Sequence, residues 1–326
     1  MDVISRTFLS LFICGLSYCT TVSSASEPLF LSTHKDGWDS GDVFRSQIYI
    51  ASGTTKTVYC RVDSGSASVQ ATLRWYKTKS DGSKESEDPV GNDDNGSTIS
   101  LTAEKIGNYT CMSENGNTKE KATLQVFGEK QANKVVITTD VKDSGRIGKD
   151  SFYIHCKHSS EDDWTATWYF NGKKQDGSGY MKINDGNLTV SKPTGEDGGY
   201  YLCELNKENE DTLRAFKALK SLPFALIPEG ESKNKMQAES VTVSCSVLGY
   251  PQGKVKWLKD GKNLDVSVNN SRVSLSLFQN VENARLSIKN LDFDDRANYS
   301  CVCTNGQKDD EGKEAQAQAH VLIRVK

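Results

Sequence analysis

The chain has 326 residues, 25% of them charged, and its formal net charge is only −3 at pH 7. A charge so nearly balanced excludes the concentrated basic surface on which nucleic-acid binding depends. The length predicts two or three domains.

The N-terminal segment predicts export. Residues 2–6 are polar and include one arginine, and residues 7–19 form a mostly apolar run. This run is too short to cross a bilayer, which needs about 20 residues. Ser23 and Ala25 are the small residues that signal peptidase requires, so we expect residues 1–25 to be a signal peptide. No second hydrophobic run follows, which predicts a secreted protein without a membrane span, unless a longer form continues past Lys326.

The remaining sequence repeats one pattern three times: a Cys, a Trp twelve to fifteen residues later, and then Tyr-x-Cys. The copies are Cys60, Trp75, Tyr109 and Cys111; Cys156, Trp168, Tyr201 and Cys203; and Cys245, Trp257, Tyr299 and Cys301. Apolar and polar residues alternate around each first Cys, a period of two that is typical of half-buried strands. Export places these cysteines in an oxidising compartment, where pairing is expected.

Turn signals lie between the predicted strands. Asn171-Gly172 and Asp260-Gly261 each follow a Trp segment by a few residues. Asn, Asp and Gly tolerate positive φ, so both pairs predict tight hairpins. The last segment alternates from Ala317 to Val325 and predicts a final strand.

The repeat resembles the immunoglobulin superfamily over essentially the whole chain after residue 25, and its spacing is most similar to the I-set and C2 classes. The segment Asp197-x-Gly-x-Tyr-x-Cys203 matches the strand-F motif of the family, and the third copy departs from it only at Ala297. In the first copy Lys105 replaces the Asp, which puts the salt bridge usual at this position in doubt. In the third copy the resemblance implies that Arg272 pairs with Asp295.

The resemblance implies an all-β fold of three tandem immunoglobulin-like antiparallel β-sandwiches in an extended array. We expect the first domain to comprise residues 26–128, the second 129–221 and the third 222–326. The connections, at residues 128–131 and 221–223, are short and are not Gly/Ser tethers.

The resemblance also implies a structural role for each repeated residue. A disulfide joins the two sheets of each sandwich, and the Trp packs against it in the core. The Tyr turns its hydroxyl back to a backbone carbonyl at the corner before its strand. The implied pairs are Cys60–Cys111, Cys156–Cys203 and Cys245–Cys301.

Asn-x-Ser/Thr sequons predict N-glycosylation at Asn95, Asn108, Asn187, Asn269 and Asn298. Asn108 and Asn298 each precede a corner Tyr, so alternation predicts that their side chains point outward when the Tyr points inward.

Cys303 has no partner in the repeat. It is open either to an intermolecular disulfide or to a buried free thiol. It lies two residues beyond Cys301 and shares its inward face, so we favour the buried thiol.

Metal binding has weak signals in the sequence. His155 and His158 flank Cys156, but alternation places His155 on the opposite face from that cysteine. The acidic segment 292–295 lies in a predicted turn, where Asp295 already has a structural role. We therefore expect no metal, no cofactor and no catalytic site.

A basic run is formed by Lys254, Lys256, Lys259 and Lys262. A glycosaminoglycan site and a solvated strand face are both open for it, and we favour the solvated face.

These features predict a non-enzymatic, extracellular recognition or cell-adhesion protein. It is expected to bind a cell-surface or extracellular protein, either another protein or a second copy of itself. The resemblance to the immunoglobulin family implies that binding uses the sheet with strands C, F and G of the first domain or the terminal loops of that domain. The alternative is a soluble form or the ectodomain of a basigin- or neuroplastin-like glycoprotein, a co-receptor or transporter escort, because residues 321–326 resemble the strand that enters the membrane in that family.

Overall fold

The computed structural model describes residues 29–33, 43–62, 72–87, 89, 91–93, 96–113, 121–142, 145–160, 163–264, 266 and 272–326. The predicted signal peptide, residues 1–25, lies outside the described residues, and so do the sequons Asn95 and Asn269. Within the described ranges, no helix is long and apolar enough to cross a membrane.

The first sandwich consists of β1 (Leu29–Ser32), β2 (Gln47–Ile50), β3 (Thr55–Val62), β4 (Leu73–Thr78), β5 (Lys84–Glu87), β6 (Gly91–Asp93), β7 (Gly96–Thr102), β8 (Gly107–Ser113) and β9 (Lys121–Gly128). One sheet has the order β1-β3-β7-β6, and the other has the order β2-β9-β8-β4-β5. The pair β2–β9 is parallel. Leu73 and Trp75 are buried while Arg74 between them is exposed, as period-two alternation predicts.

The second sandwich consists of β10 (Val135–Thr139), β11 (Phe152–His158), β12 (Thr165–Phe170), β13 (Lys173–Lys174), β14 (Met181–Asn184), β15 (Asn187–Val190), β16 (Gly199–Asn206) and β17 (Leu213–Leu219). Its sheets have the orders β10-β11-β15-β14 and β13-β12-β16-β17. Asn171 and Gly172 both take positive φ between β12 and β13, which is the hairpin turn that the sequence predicts there.

The third sandwich consists of β18 (Phe224–Leu226), β19 (Ser232–Lys235), β20 (Val241–Ser244), β21 (Ser246–Leu248), β22 (Lys254–Lys259), β23 (Lys262–Asn263), β24 (Val273–Phe278), β25 (Val281–Ile288), β26 (Ala297–Lys308) and β27 (Glu314–Val325). Its larger sheet has the order β19-β27-β26-β22-β23, with β19 parallel to β27. The strands β18-β21 and β20-β25-β24 form the opposite side. Single turns of 3-10 helix lie at Ala132–Lys134, Gly195–Asp197 and Phe293–Asp295.

Each sandwich encloses its own apolar core, centred on Trp75, Trp168 or Trp257, none of which is more than 3% exposed. Alternate residues from both sheets fill these cores, because inward and outward side chains alternate along every strand. The predicted all-β class of tandem immunoglobulin-like sandwiches is confirmed.

The first domain contacts the third as well as the second. The side chain of Asn280 bonds to both the N–H and the carbonyl of Leu31, each at 2.9 Å. The array is therefore less extended than the sequence suggested. The reason lies in β16, where Tyr200 and Leu202 point away from the core but are only 8% and 3% exposed. A strand that is apolar on both faces needs a cover on each, and the first domain provides the second cover.

Candidate functional site: the outer sheet faces

A disulfide joins the two sheets of each sandwich, and the structure pairs Cys60 with Cys111, Cys156 with Cys203, and Cys245 with Cys301. Beside each disulfide, a buried indole N–H donates to a backbone carbonyl, as buried tryptophans require. These bonds are Trp75 to Ser97 (3.3 Å), Trp168 to Gly186 (3.2 Å) and Trp257 to Asn283 (2.8 Å). All nine of these Cys and Trp residues are therefore part of the scaffold, buried inside the cores.

Each corner tyrosine donates its hydroxyl to the backbone carbonyl four residues earlier. The bonds are Tyr109 to Lys105 (3.1 Å), Tyr201 to Asp197 (2.6 Å) and Tyr299 to Asp295 (3.2 Å). Burial raises the pKa of Tyr109 to about 12, with a smaller contribution from Glu87, and burial also raises the pKa of Tyr201 well above its ordinary value. The hydroxyls are therefore neutral donors at physiological pH.

The carboxylate of the strand-F motif has different hydrogen-bond donors in the second and third domains. In the third, Asp295 is only 6% exposed in its side chain and accepts from Arg272 at 2.8 Å and from the N–H of Asp292 at 2.9 Å. In the second, Asp197 accepts instead from the Tyr180 hydroxyl at 2.9 Å. The sequence indicated the arginine in the third domain but gave no sign of the tyrosine in the second.

The first domain has Lys105 at this position. Its ammonium group donates to the carbonyl of Ser100 at 3.2 Å, while its own carbonyl accepts the Tyr109 hydroxyl. The corner survives without an acidic side chain because the acceptor belongs to the backbone.

The three sequon asparagines in the described residues lie in different settings. Asn108 and Asn298 are exposed on the outer faces of β8 and β26. Asn187 is half-buried on β15, and its amide oxygen lies 2.9 Å from Nδ1 of His155. Asn108 and Asn298 are thus the more open of the three to a carbohydrate.

Cys303 is fully buried and forms no disulfide with another cysteine among the described residues. Burial raises the pKa of its thiol to about 12, which keeps it protonated and a poor nucleophile. A Cβ added to Gly253 would approach its Sγ to 2.3 Å, so the thiol fills a space that is closed by a glycine.

The predicted metal-ligand candidates are not brought together. His155 faces outward and bonds to Asn187, whereas His158 is buried and stacks on Trp164 with ring centroids 5.1 Å apart. Across the described residues, no group of three or more His, Cys, Asp or Glu side chains is arranged to hold a metal ion.

The basic run is divided by strand alternation. Lys254 and Lys256 are exposed on the outer face of β22, and Lys262 is exposed on β23. Lys259 turns back and donates to the carbonyl of Asp294 at 2.6 Å. Only part of the run therefore lies on one face.

We call the outer surface of β4, β5 and β8 the front face of the first domain; on the same side of this sheet, Tyr49 of β2 and Phe127 of β9 pack against the second domain. Its central strands point a mixed polar, basic and aromatic set outward, without any Asp or Glu. This set is Arg74, Tyr76, Thr78, Asn108, Thr110 and Met112, with Lys84 and Ser86 from β5. In the described residues, no hydrogen bond or ring contact joins these side chains to another domain.

The front face of the second domain, on β12, β16 and β17, is aromatic instead. It carries Tyr169, Tyr200, Leu202, Phe216 and Ala218, which pack with Phe44, Tyr49 and Phe127 of the first domain and Tyr250 of the third. This surface was not predicted from the sequence, although the apolar residues on both faces of β16 indicate it.

Comparison with known proteins agrees with this geometry. Residues 147–213 and 227–305 each match a family model described as an immunoglobulin domain. The chain belongs to the immunoglobulin superfamily. The first sandwich has the same two-sheet arrangement and bridge as the two immunoglobulin domains that follow it.

Relatives of this immunoglobulin-domain chain include adhesion molecules. It is 28% identical to hemicentin-1 of Mus musculus over 259 residues, covering 72% of this chain and 4% of that protein. It is 24% identical to neural cell adhesion molecule 1-A of Xenopus laevis over 292 residues, covering 85% of this chain and 25% of that protein. The chain thus spans a quarter or less of these relatives. Among solved structures, the extracellular domains 3–5 of Drosophila OTK align with 19% identity and a TM-score of 0.27, covering 86% of this chain and 94% of that one.

Proposed function

We propose that the chain is an extracellular recognition protein that binds a protein partner through the front face of its first domain. The observation that carries this proposal is the free central part of that face, where Tyr76 and Met112 lie among Arg74 and Lys84. An aromatic and apolar centre among polar side chains is the usual composition of a protein interface. The kinship with proteins named cell adhesion molecules points the same way.

The charge of the front face favours an acidic partner surface. Among the described residues, no Asp or Glu lies beside Arg74 and Lys84 on the outward side of these strands, so they attract a negative surface and disfavour symmetric pairing with an identical face. Binding to a second copy would therefore join this face to a different surface of the copy.

Carbohydrate limits the accessible surface in this proposal. A glycan on Asn108 stands where β8 begins, at one end of the front face of the first domain, and a glycan on Asn298 stands where β26 begins in the third. The glycan on Asn108 leaves free the other end of the front face, where Arg74 and Met112 lie opposite each other.

Bead aggregation tests the proposal and distinguishes its two forms. Beads coated with the chain aggregate alone if binding is homophilic, and only with beads that carry cell-surface proteins if it is heterophilic. The double variant Arg74→Glu/Lys84→Glu should slow aggregation, whereas Lys157→Glu, an exposed lysine on the other sheet of the second domain, should not. Equal effects of the two variants would contradict a site on the front face.

The alternative of a basigin- or neuroplastin-like ectodomain stays a prediction, and it is tested by sequencing the transcript beyond Lys326. A hydrophobic segment of about 20 residues encoded there would support it.

A further inference from the structure

The first and second domains meet through a stack of aromatic rings. Tyr49 lies 3.9 Å from Tyr200, centroid to centroid, with only 5° between the ring planes. On its other side Tyr49 stacks on Phe127 at 4.8 Å, and Phe216 meets it edge-on at 5.5 Å. Tyr49 is 4% exposed and Tyr200 is 8% exposed, so the contact excludes water.

The third domain closes the end of this stack. Phe44 packs edge-on against Tyr250 of the third domain at 5.2 Å, and it also contacts the ring of Tyr200. The hydroxyls of Tyr200 and Tyr250 are 2.9 Å apart, which links the second and third domains at the same point. One aromatic cluster thus contains side chains from all three domains.

Polar bonds fix the first domain in register on the other two. Asn280 satisfies both backbone groups of Leu31, as a neighbouring strand would. The N–H of Arg45 donates to the side chain of Gln252 at 3.1 Å. The amide of Gln47 donates to the carbonyl of Asn171 at 2.8 Å. These bonds are specific for one orientation of the domains, which an apolar contact alone would not determine.

The connection between the first two domains is itself bonded to both. Glu129 N–H donates to the carbonyl of Ile50 in the first domain, and Lys130 exchanges two backbone bonds with Arg214 in the second. The turn that carries Phe44 has positive φ at both Arg45 and Ser46, although neither is glycine. Such a turn persists where its surroundings hold it, and Gln252 holds this one.

We propose that the first domain is a built-in cover for the aromatic front face of the second domain, and that the three domains form one closed unit. The cover removes this face from the surfaces that a partner can reach. It also holds the front face of the first domain, on β4, β5 and β8, in a fixed position relative to the third. Domain pairs move relative to one another unless their interface is large and apolar, and this interface is apolar with polar bonds around it.

This proposal concerns the chain alone, so it can fail while the proposed function stands. Nitration of exposed tyrosines with tetranitromethane, read by mass spectrometry, reports on the cover directly. In the native chain, Tyr153, which is 44% exposed, should react, while Tyr200 should not. The double variant Phe44→Ser/Tyr49→Ser should raise the labelling rate of Tyr200 at least about tenfold, because an open form populated at about 0.1–10% becomes dominant. Its radius of gyration should increase as well.

Tyr153→Ser is the matched control. It removes an exposed tyrosine from the second domain, on the sheet opposite to that of Tyr200, and should leave Tyr200 protected. If the double variant loses its far-ultraviolet circular dichroism, the variant Gln252→Ala/Asn280→Ala replaces it. Both of these residues are in connections between strands of the third domain, so the core of the first domain stays intact. This variant should also raise Tyr200 labelling. Native labelling of Tyr200 at the rate of Tyr153, or unchanged labelling in the folded variants, would overturn the proposal.

Discussion

Replacing Gly172 by alanine should loosen the contact between the first and second domains. Gly172 has φ of +74°, and an added Cβ would lie 2.7 Å from Cζ of Phe127 and 2.8 Å from Nε2 of Gln47. The Phe127 ring cannot yield freely, because it is stacked on Tyr49. The hairpin itself would lose about 1–2 kcal/mol, since an L-residue is strained at positive φ.

The chain provides a matched control for that local strain. Gly261 lies in the corresponding hairpin of the third domain at φ of +78°, and an added Cβ would meet nothing within 4 Å. Gly261→Ala therefore has the cost of positive φ without the interdomain clash. The difference between the two variants isolates the contact.

The size of that difference follows from what the clash would disrupt. Disturbing one aromatic stack costs about 0.5–1.5 kcal/mol. Losing the hydrogen bond from Gln47 to Asn171 costs about the same. The sum of about 1–3 kcal/mol shifts the closed-to-open equilibrium by roughly 5- to 150-fold.

Tyrosine nitration measures this shift. Gly172→Ala should raise the labelling rate of Tyr200 by that factor, and Gly261→Ala should leave it at the native value. Equal labelling in the two variants would refute the reasoning, because it would mean that Gly172 acts only through its own hairpin.

Three further predictions concern single domains. Arg272→Leu should destabilise the third domain by about 1–3 kcal/mol, because the buried Asp295 loses its charge-assisted hydrogen bond from an arginine that is itself partly screened by solvent. An unchanged free energy of unfolding in denaturant would contradict this. Cys303 should resist iodoacetamide at pH 8 in the native chain and react in denaturant, and the chain should run as a monomer on a non-reducing gel; a covalent dimer would contradict the buried thiol. Asn108→Gln and Asn298→Gln should each remove one glycosidase-sensitive mass from the protein expressed in animal cells, and an unchanged mass would count against that site.

Burial of Cys303 also predicts a loss of stability in alkali. The thiol pKa rises from 9.0 to about 12 on folding, so the protonated thiol stabilises the native state fully below pH 9. Between pH 9 and 12 the unfolded chain ionises first, and this contribution is lost. Cys303→Ala should reduce the slope of stability against pH in this window, as measured by denaturant unfolding; an unchanged slope would show that other groups dominate it.

The sequence was informative where one residue type has one physical role. The repeated Cys, Trp and Tyr have such roles, and the alternation around Cys156 predicted which residues of β11 face inward. The tyrosine corner was predictable even with Lys105 in the acidic position, because its acceptor is a backbone carbonyl present in any sequence.

The domain contacts were not predictable from this pattern. Alternation indicates which side chains face the core, but it does not identify what covers the other face, and Tyr200 and Leu202 lie on that side. Nothing in the local sequence distinguishes Asn280 and Gln252 from other residues of exposed loops. Their bonds to the first domain join positions more than 200 residues apart. Such bonds depend on the relative placement of whole domains, which no local pattern encodes.

Saturation binding of the fluorescent, folded chain to live cells tests most directly the claim that it recognises a protein on cell surfaces. We predict saturable binding that disappears when the cells are treated with protease, and also when the disulfides of the chain are reduced and alkylated. Binding that survives the protease and is removed by glycosaminoglycan lyase would contradict the claim and favour the lysines of β22. So would the absence of saturable binding on every cell type tested.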